Sequence, residues 1–96
     1  MYEIIYNMDS QHEYNGLDGS QKVFVNKGLA RIKAFGMEAG EALRGSLIGC
    51  NKLKNRKMGL RIVFRLVNDK IEVIEIVAIG KRDKKEVYKI AEQRIK

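Results

Sequence analysis

The spacing of hydrophobic positions changes near the middle of this chain, from a helical period to a period of two. Glu3 to Tyr6 is short, apolar and β-branched and predicts an opening strand. Asp9 to Leu17 is polar and ambiguous, with a helical turn as its reading. Ser20 can cap a helix whose apolar positions Val25, Gly28, Leu29, Ile32 and Phe35 follow three- and four-residue spacing, and Gly36 can end it. Gly40, Gly45 and Gly49 then interrupt helical character, so Met37 to Gly49 is expected to form one short turn followed by loop.

Beyond Gly49, alternation takes over. In Cys50 to Asn55, Lys52 and Lys54 fall on one face of a strand and Leu53 on the other. Gly59 permits a turn, after which Leu60, Ile62, Phe64 and Leu66 alternate with Arg61, Val63, Arg65 and Val67, placing Arg61 away from the bulky core face. A tight turn at Asn68 and Asp69 leads into Ile71 to Ile79, whose nearly continuous apolar, β-branched character suits a central strand. Asp83 with Glu86 three residues on resembles a capping box opening a last helix with the inner stripe Val87, Ile90, Ala91 and Ile95. With no internal repeat, no low-complexity tract and no proline, the chain offers no linker or boundary. The expectation is a small single α+β domain over residues 1–96, an antiparallel β-meander packed against one or more N-terminal helices and a C-terminal helix.

Charge adds the first functional information. The net charge is +7, and it is one-sided: residues 1–49 carry five basic and six acidic side chains, residues 50–96 fourteen and six. A positive field confined to one half of a chain is the footprint of a polyanionic partner, because neutralised phosphates release condensed counterions; a solubilising surface is the bland alternative. No apolar run approaches the roughly 20 residues that span a bilayer, and Met1 to Met8 lacks the features of a signal peptide, so a cytoplasmic protein without membrane contact is expected. The single cysteine, Cys50, and the single histidine, His12, leave neither an internal disulfide nor a zinc site to expect, and no cofactor.

The basic half also holds a candidate site. If the first two strands of the meander pair, Lys52, Lys54 and Arg61 converge on one face, with Arg82 and Tyr88 entering from the strand end and the last helix. Tyr88 lies one position off the buried stripe, so its hydroxyl is expected to face out. Such a set suits the phosphorane of RNA cleavage, where negative charge accumulates on non-bridging oxygens. With only His12 as an imidazole, a lysine depressed by neighbouring cations would have to serve as base, and the arginines suit charge stabilisation. Each residue also has a plainer use. Alternating lysines protect a strand edge from aggregation, Tyr88 can be a packing residue with a wet hydroxyl, and Lys81, Arg82, Lys84 and Lys85 can be a solvated helix entrance, although cations there oppose the helix dipole and invite a compensating ligand. Cys50 reads as a small hydrophobe and His12 as an exposed bystander.

The segments CNKLK (Cys50 to Lys54), GLRIVF (Gly59 to Phe64), IGKRD (Ile79 to Asp83) and EVYKIAEQR (Glu86 to Arg94), in that order and register, resemble the RelE mRNA interferase toxins. The likeness covers the C-terminal half and continues more weakly through the N-terminal half. It implies a compact α+β fold and metal-free cleavage of messenger RNA in the ribosomal A site, with contacts to 16S rRNA. It also implies a cognate acidic antitoxin that holds the toxin inactive. It places Lys52, Lys54, Arg61, Arg82 and Tyr88 on the catalytic positions: Lys54 as base, Lys52 and Arg61 stabilising the phosphorane, Arg82 at the leaving oxygen or as acid, and Tyr88 stacking on or orienting the substrate. Arg56, Lys57, Lys81, Lys84 and Lys85 are expected to hold RNA. Leu60 stands where relatives often carry an aromatic, and Asp9 to Leu17 is a poorer helix than theirs. Two other classes stay open: a gyrase-inhibiting toxin of the related ParE type, and a nonenzymatic basic nucleic-acid-binding module.

Overall fold

The computed structural model describes residues 1–67 and 72–96; the turn expected at Asn68 and Asp69 and the strand start expected at Ile71 lie outside the described residues. The elements run β1 (Glu3–Tyr6), α1 (Met8–Asn15), α2 (Gly19–Phe35), β2 (Glu41–Ala42), β3 (Cys50–Asn55), β4 (Leu60–Leu66), β5 (Val73–Lys81) and α3 (Glu86–Arg94), with 3-10 turns at Gly36–Ala39, Gly45–Leu47 and Asp83–Lys85. The strands form one sheet in the order β1-β5-β4-β3-β2. The meander β3-β4-β5 is antiparallel, as alternation predicts, and β1 adds to its far edge in parallel with β5, a pairing the sequence pattern does not reveal.

The sheet is buried on both faces. Val25 and Ile32 of α2 pack on Leu60, Ile62, Phe64, Ile74, Ile76 and Ile79, whereas Val87 and Ala91 of α3 pack on Val63, Val77 and Ala78 from the other side, with Leu47 and Cys50. This explains the continuous apolar character of β5, since a strand covered on both faces cannot alternate. A bulge aids the arrangement: Val63 pairs with Ala78 and Phe64 with Ile76, so Val77 is an extra residue and joins Ala78 against α3. Each fully buried Val, Ile or Phe contributes roughly 1.5–3 kcal/mol, and the α3 interface supplies such residues from both helix and sheet.

Three local expectations are corrected. Asp9 to Leu17 is not a mere turn, because α1 is a full helix held by the Asn7 cap. The Asn7 Oδ1 accepts from the Ser10 amide at 2.7 Å, the Ser10 hydroxyl oxygen accepts from the Asn7 amide at 3.1 Å, and the Asn7 side-chain amide donates to the Val77 carbonyl at 3.2 Å. Tertiary anchoring on β5 thus compensates for a polar sequence with little intrinsic reason to be helical. The cap of α2 is Asp18, not Ser20. Asp18 and Gln21 form a reciprocal capping box at 2.8 and 3.0 Å, and the Ser20 hydroxyl merely donates to the Asp18 carboxylate at 2.9 Å. Asp83 and Glu86 do not form a capping box either. Asp83–Lys85 is a 3-10 turn, and α3 begins after Lys85, which sits in the left-handed region (φ 59°) without a side-chain cap bond.

Candidate active site

The end of the β3–β4 hairpin and the exit of β5 meet at one place. Asn55 Oδ1 accepts from the Met58 amide at 3.0 Å, and Gly59 takes the positive φ (68°) that closes the turn. The Arg82 amide then donates to the Gly59 carbonyl at 2.8 Å, and Lys81 Nζ donates to the Met58 carbonyl at 3.0 Å, tying the β5 exit to the hairpin tip. Between them opens a cleft of about 930 Å³ whose walls include Lys52, Lys54, Arg56, Lys57, Arg61, Lys81 and Arg82, with Asp83 and Glu86 at the α3 entrance.

Register accounts for the convergence. Lys54 pairs directly with Arg61 across β3 and β4, so the two side chains and that of Lys52 share the face that α3 covers further along. Two cations directly opposite each other repel, and the structure relieves this by giving each its own acceptor. Arg61 Nη1 donates to the Leu60 carbonyl at 3.0 Å and to the Asn55 carbonyl at 3.4 Å, while Lys54 Nζ donates to the Glu41 carboxylate at 3.0 Å. Lys52 Nζ stands 5.7 Å from the centroid of the Tyr88 ring, within cation–π range.

Four of the five expected catalytic side chains, those of Lys52, Lys54, Arg61 and Arg82, therefore line one cleft, and Tyr88 stands behind Lys52 without lining it. Of the expected RNA contacts, Arg56, Lys57 and Lys81 line the cleft; Lys85 is exposed outside its lining, and the side chain of Lys84 lies outside the described ones. Two expectations of exposure are corrected. Arg61 points away from the α2 core but is only 6% exposed, because the second face of the sheet is also cored. The Tyr88 hydroxyl does not face out: it is buried, and it and Arg61 Nε have no hydrogen-bond partner among the described residues. Leaving such atoms unpaired costs about 1–3 kcal/mol each.

No family model matches the chain. The mRNA interferase toxin RelE of Escherichia coli is 28% identical over 94 residues, which cover 98% of this chain and 97% of that protein. A doubly substituted E. coli RelE solved in the free state superposes with a TM-score of 0.81 at 28% identity, over 99% of this chain and 98% of that one. The toxin of the intact E. coli RelBE toxin-antitoxin complex superposes with a TM-score of 0.72 at 26% identity, over 84% and 96%. The likeness in sequence and in fold runs along essentially the whole chain. The chain is RelE-like in both.

Within this RelE-like fold the surroundings of the cleft hold residues that the sequence pattern does not mark. Glu41 comes from β2, two residues long and hidden in a glycine-broken stretch, and its carboxyl lies below the usual carboxylate range, chiefly through the hydrogen bond from Lys54, with Lys52 and Arg56 adding to it. Glu13 and Arg94 form a two-pronged ion pair at 2.8 and 2.9 Å that joins α1 to the end of α3, and Arg94 also donates to the Val77 carbonyl at 2.9 Å. No sequence signal marks that pair, because its partners are 81 positions apart. His12 is exposed on α1 and does not line the cleft, and Cys50 is buried, its thiol pushed up chiefly by burial. Among the described residues no three His, Cys, Asp or Glu side chains gather into a metal-binding group, and no helix is long and apolar enough to cross a membrane.

Proposed function

We propose that the chain is a cytoplasmic single-domain endoribonuclease toxin that cleaves messenger RNA in the ribosomal A site without a catalytic metal, and that an acidic antitoxin restrains it. The observation that carries this reading is the convergence of Lys52, Lys54, Arg61 and Arg82 in one cleft of a RelE-like fold.

The chemistry follows from the donor set. The ribose 2′ hydroxyl attacks the adjacent phosphorus, the bond to the 5′ oxygen breaks, and a cyclic 2′,3′ phosphate and a free 5′ hydroxyl result. Arg61 is fixed by two backbone carbonyls and lines the cleft, so its guanidinium is a preorganised positive charge for the phosphorane. Arg82, exposed at the strand exit, approaches the leaving oxygen. Lys52, steadied over Tyr88, offers a second cation to the phosphorane. Lys54, once it has released Glu41 and given up a proton to solvent, takes the proton of the 2′ hydroxyl as a neutral amine. The remaining cleft cations, Arg56, Lys57 and Lys81, hold flanking phosphates and 16S rRNA, with Lys85 extending the track at the α3 entrance and Lys84 proposed as a further RNA contact.

A base and acid of this kind are weak, so much of the acceleration comes from the ribosome fixing the RNA in line, which can supply roughly 7–11 kcal/mol. The structure of the E. coli RelBE complex shows a relative of this fold together with its antitoxin, and a basic cleft of this size calls for an acidic cover in the same way. Primer extension on messenger RNA after induced expression tests the reading. Cleavage within codons by the wild type and none by Arg82→Ala is expected; equal cleavage of naked and ribosome-bound RNA counts against it.

A further inference from the structure

Besides Asp83 and Glu86 in its lining, the cleft has an anion at its edge, paired with one of its lysines. Glu41 lies directly opposite Lys52 in the β2–β3 register, on the face that carries Lys54, and its carboxylate reaches diagonally to Lys54 Nζ at 3.0 Å. This is a built contact. A Cβ at position 40 would collide with the Lys52 carbonyl and the Phe64 ring, so only glycine lets the chain before Glu41 come this close to β3. Beyond Glu41, the Leu43 amide donates to the Cys50 carbonyl at 3.0 Å, and the Asn51 side-chain amide donates to the Met37 carbonyl at 2.7 Å. The glutamate is thus clamped beside the lysines from both sides, while its side chain stays 60% exposed and free to swing away.

We infer that Glu41 is a positioning residue that stands in for a substrate phosphate: it occupies Lys54 in the free toxin and is displaced by incoming RNA. The inference rests on the proposed function, since it takes the cleft to bind RNA. A carboxylate carries one charge and makes a single contact here, whereas an RNA segment brings several phosphates to Lys52, Lys54, Arg61 and Arg82 at once. Substrate presented across the whole cleft wins the exchange, and isolated phosphates or short fragments do not. Glu41 accordingly sets a threshold that disfavours loosely held RNA and leaves Lys54 free only when the cleft is filled.

The test measures binding of a short single-stranded RNA with 2′-O-methyl riboses, which cannot be cleaved, to the full chain over a range of salt. Glu41→Gln is expected to bind about three- to fivefold tighter at low salt, with a salt slope steeper by about 0.7 for the one extra phosphate contact. Glu3→Gln, which changes net charge equally from the opposite edge of the sheet, is expected to change affinity far less, and the gain should vanish in Glu41→Gln combined with Lys54→Ala. On programmed ribosomes the Glu41→Gln effect should appear in KM and not in kcat. If Glu41→Gln binds like the wild type while Lys54→Ala weakens binding, the inference is overturned and the RNA site stands. If neither substitution alters binding, the inference and the proposed function fall together.

Discussion

Lys54 and Arg61 occupy directly opposed positions on neighbouring strands, yet neither directs its charge at the other. Lys54 leans outward to Glu41 and Arg61 inward to the carbonyls of Leu60 and Asn55. A phosphate entering between them meets both cations without either having to give up a charge-neutralising partner in the core, because only the exposed Glu41 must leave. Removing the two side chains should therefore separate activity from stability differently. Lys54→Ala is expected to leave the thermal midpoint within a few degrees and to reduce single-turnover cleavage on ribosomes by about 10²-fold or more. Arg61→Ala should lower both, because it also empties a buried position.

Tyr88→Phe should have opposite effects on stability and activity. The hydroxyl is buried without a partner among the described residues, so its loss removes an uncompensated desolvation cost of about 1–3 kcal/mol. Chemical denaturation should show the variant to be at least as stable as the wild type. Its cleavage rate should nevertheless fall, on the proposal that the hydroxyl turns to a substrate group once RNA fills the cleft. A destabilised Tyr88→Phe protein would mean that the hydroxyl has a partner in the folded state.

Arg94 anchors α3, and so the ring under Lys52, from the far end of the helix. Its two contacts to Glu13 and one to Val77 are partly buried, and deleting one member leaves the other charge poorly compensated. Arg94→Ala is expected to cost about 2 kcal/mol, seen as a fall of roughly 8–16 °C in the unfolding midpoint for a domain of this size. A double-mutant cycle with Glu13→Ala should recover a coupling of at least about 1 kcal/mol. Lysine should not rescue position 94, because it cannot make both contacts at once.

The meander and both of its lysine and arginine positions were legible in the sequence because alternation survives wherever one face of a strand differs from the other. The limits of β3 follow Cys50 to Asn55 as the pattern predicts. Arg61 was misjudged for the same reason it matters: alternation marks a polar face but does not tell whether a helix lies over it, and α3 does. The Tyr88 hydroxyl was misplaced by one step on the helix wheel. Asn7 was invisible as a cap because its strongest support is β5, and Glu41 because a two-residue strand carries no period. Asp18 with Gln21 three residues on has capping-box spacing and is legible as a cap, with Ser20 two positions later as its competitor.

Acid should expose that cap. The Asp18 carboxyl lies below the usual carboxylate range, chiefly through the bond from the Gln21 amide and then that from the Ser20 hydroxyl. A carboxyl depressed on folding adds stability that is fully present above its unfolded value, about pH 4, and is lost as pH falls through the lower folded one. Asp18→Asn keeps the geometry of the cap without the titrating charge, so its stability should decline less steeply than that of the wild type below pH 4. Parallel acid limbs for the two proteins would remove Asp18 from the account.

Cys50 should be silent. It is 1% exposed, and burial holds its thiol above the ordinary range, so it should react with a disulfide reagent only at the rate of unfolding. Labelling in native buffer compared with labelling in denaturant measures this directly, and rapid native labelling would contradict the packing of β3 under α3.

In the proposed function the cations of the β3–β4–β5 cleft cleave RNA by attack of its own 2′ hydroxyl. The most direct measurement is single-turnover cleavage of a messenger RNA set in the A site of a programmed ribosome, with ribose or 2′-deoxyribose at the scissile nucleotide, by the wild type and by Arg82→Ala. Rapid cutting of the all-ribose message by the wild type is expected, with a loss of about 10²-fold or more in Arg82→Ala and no cutting at the deoxy position by either. Cleavage at the deoxy position, or undiminished cleavage by Arg82→Ala, would contradict that function.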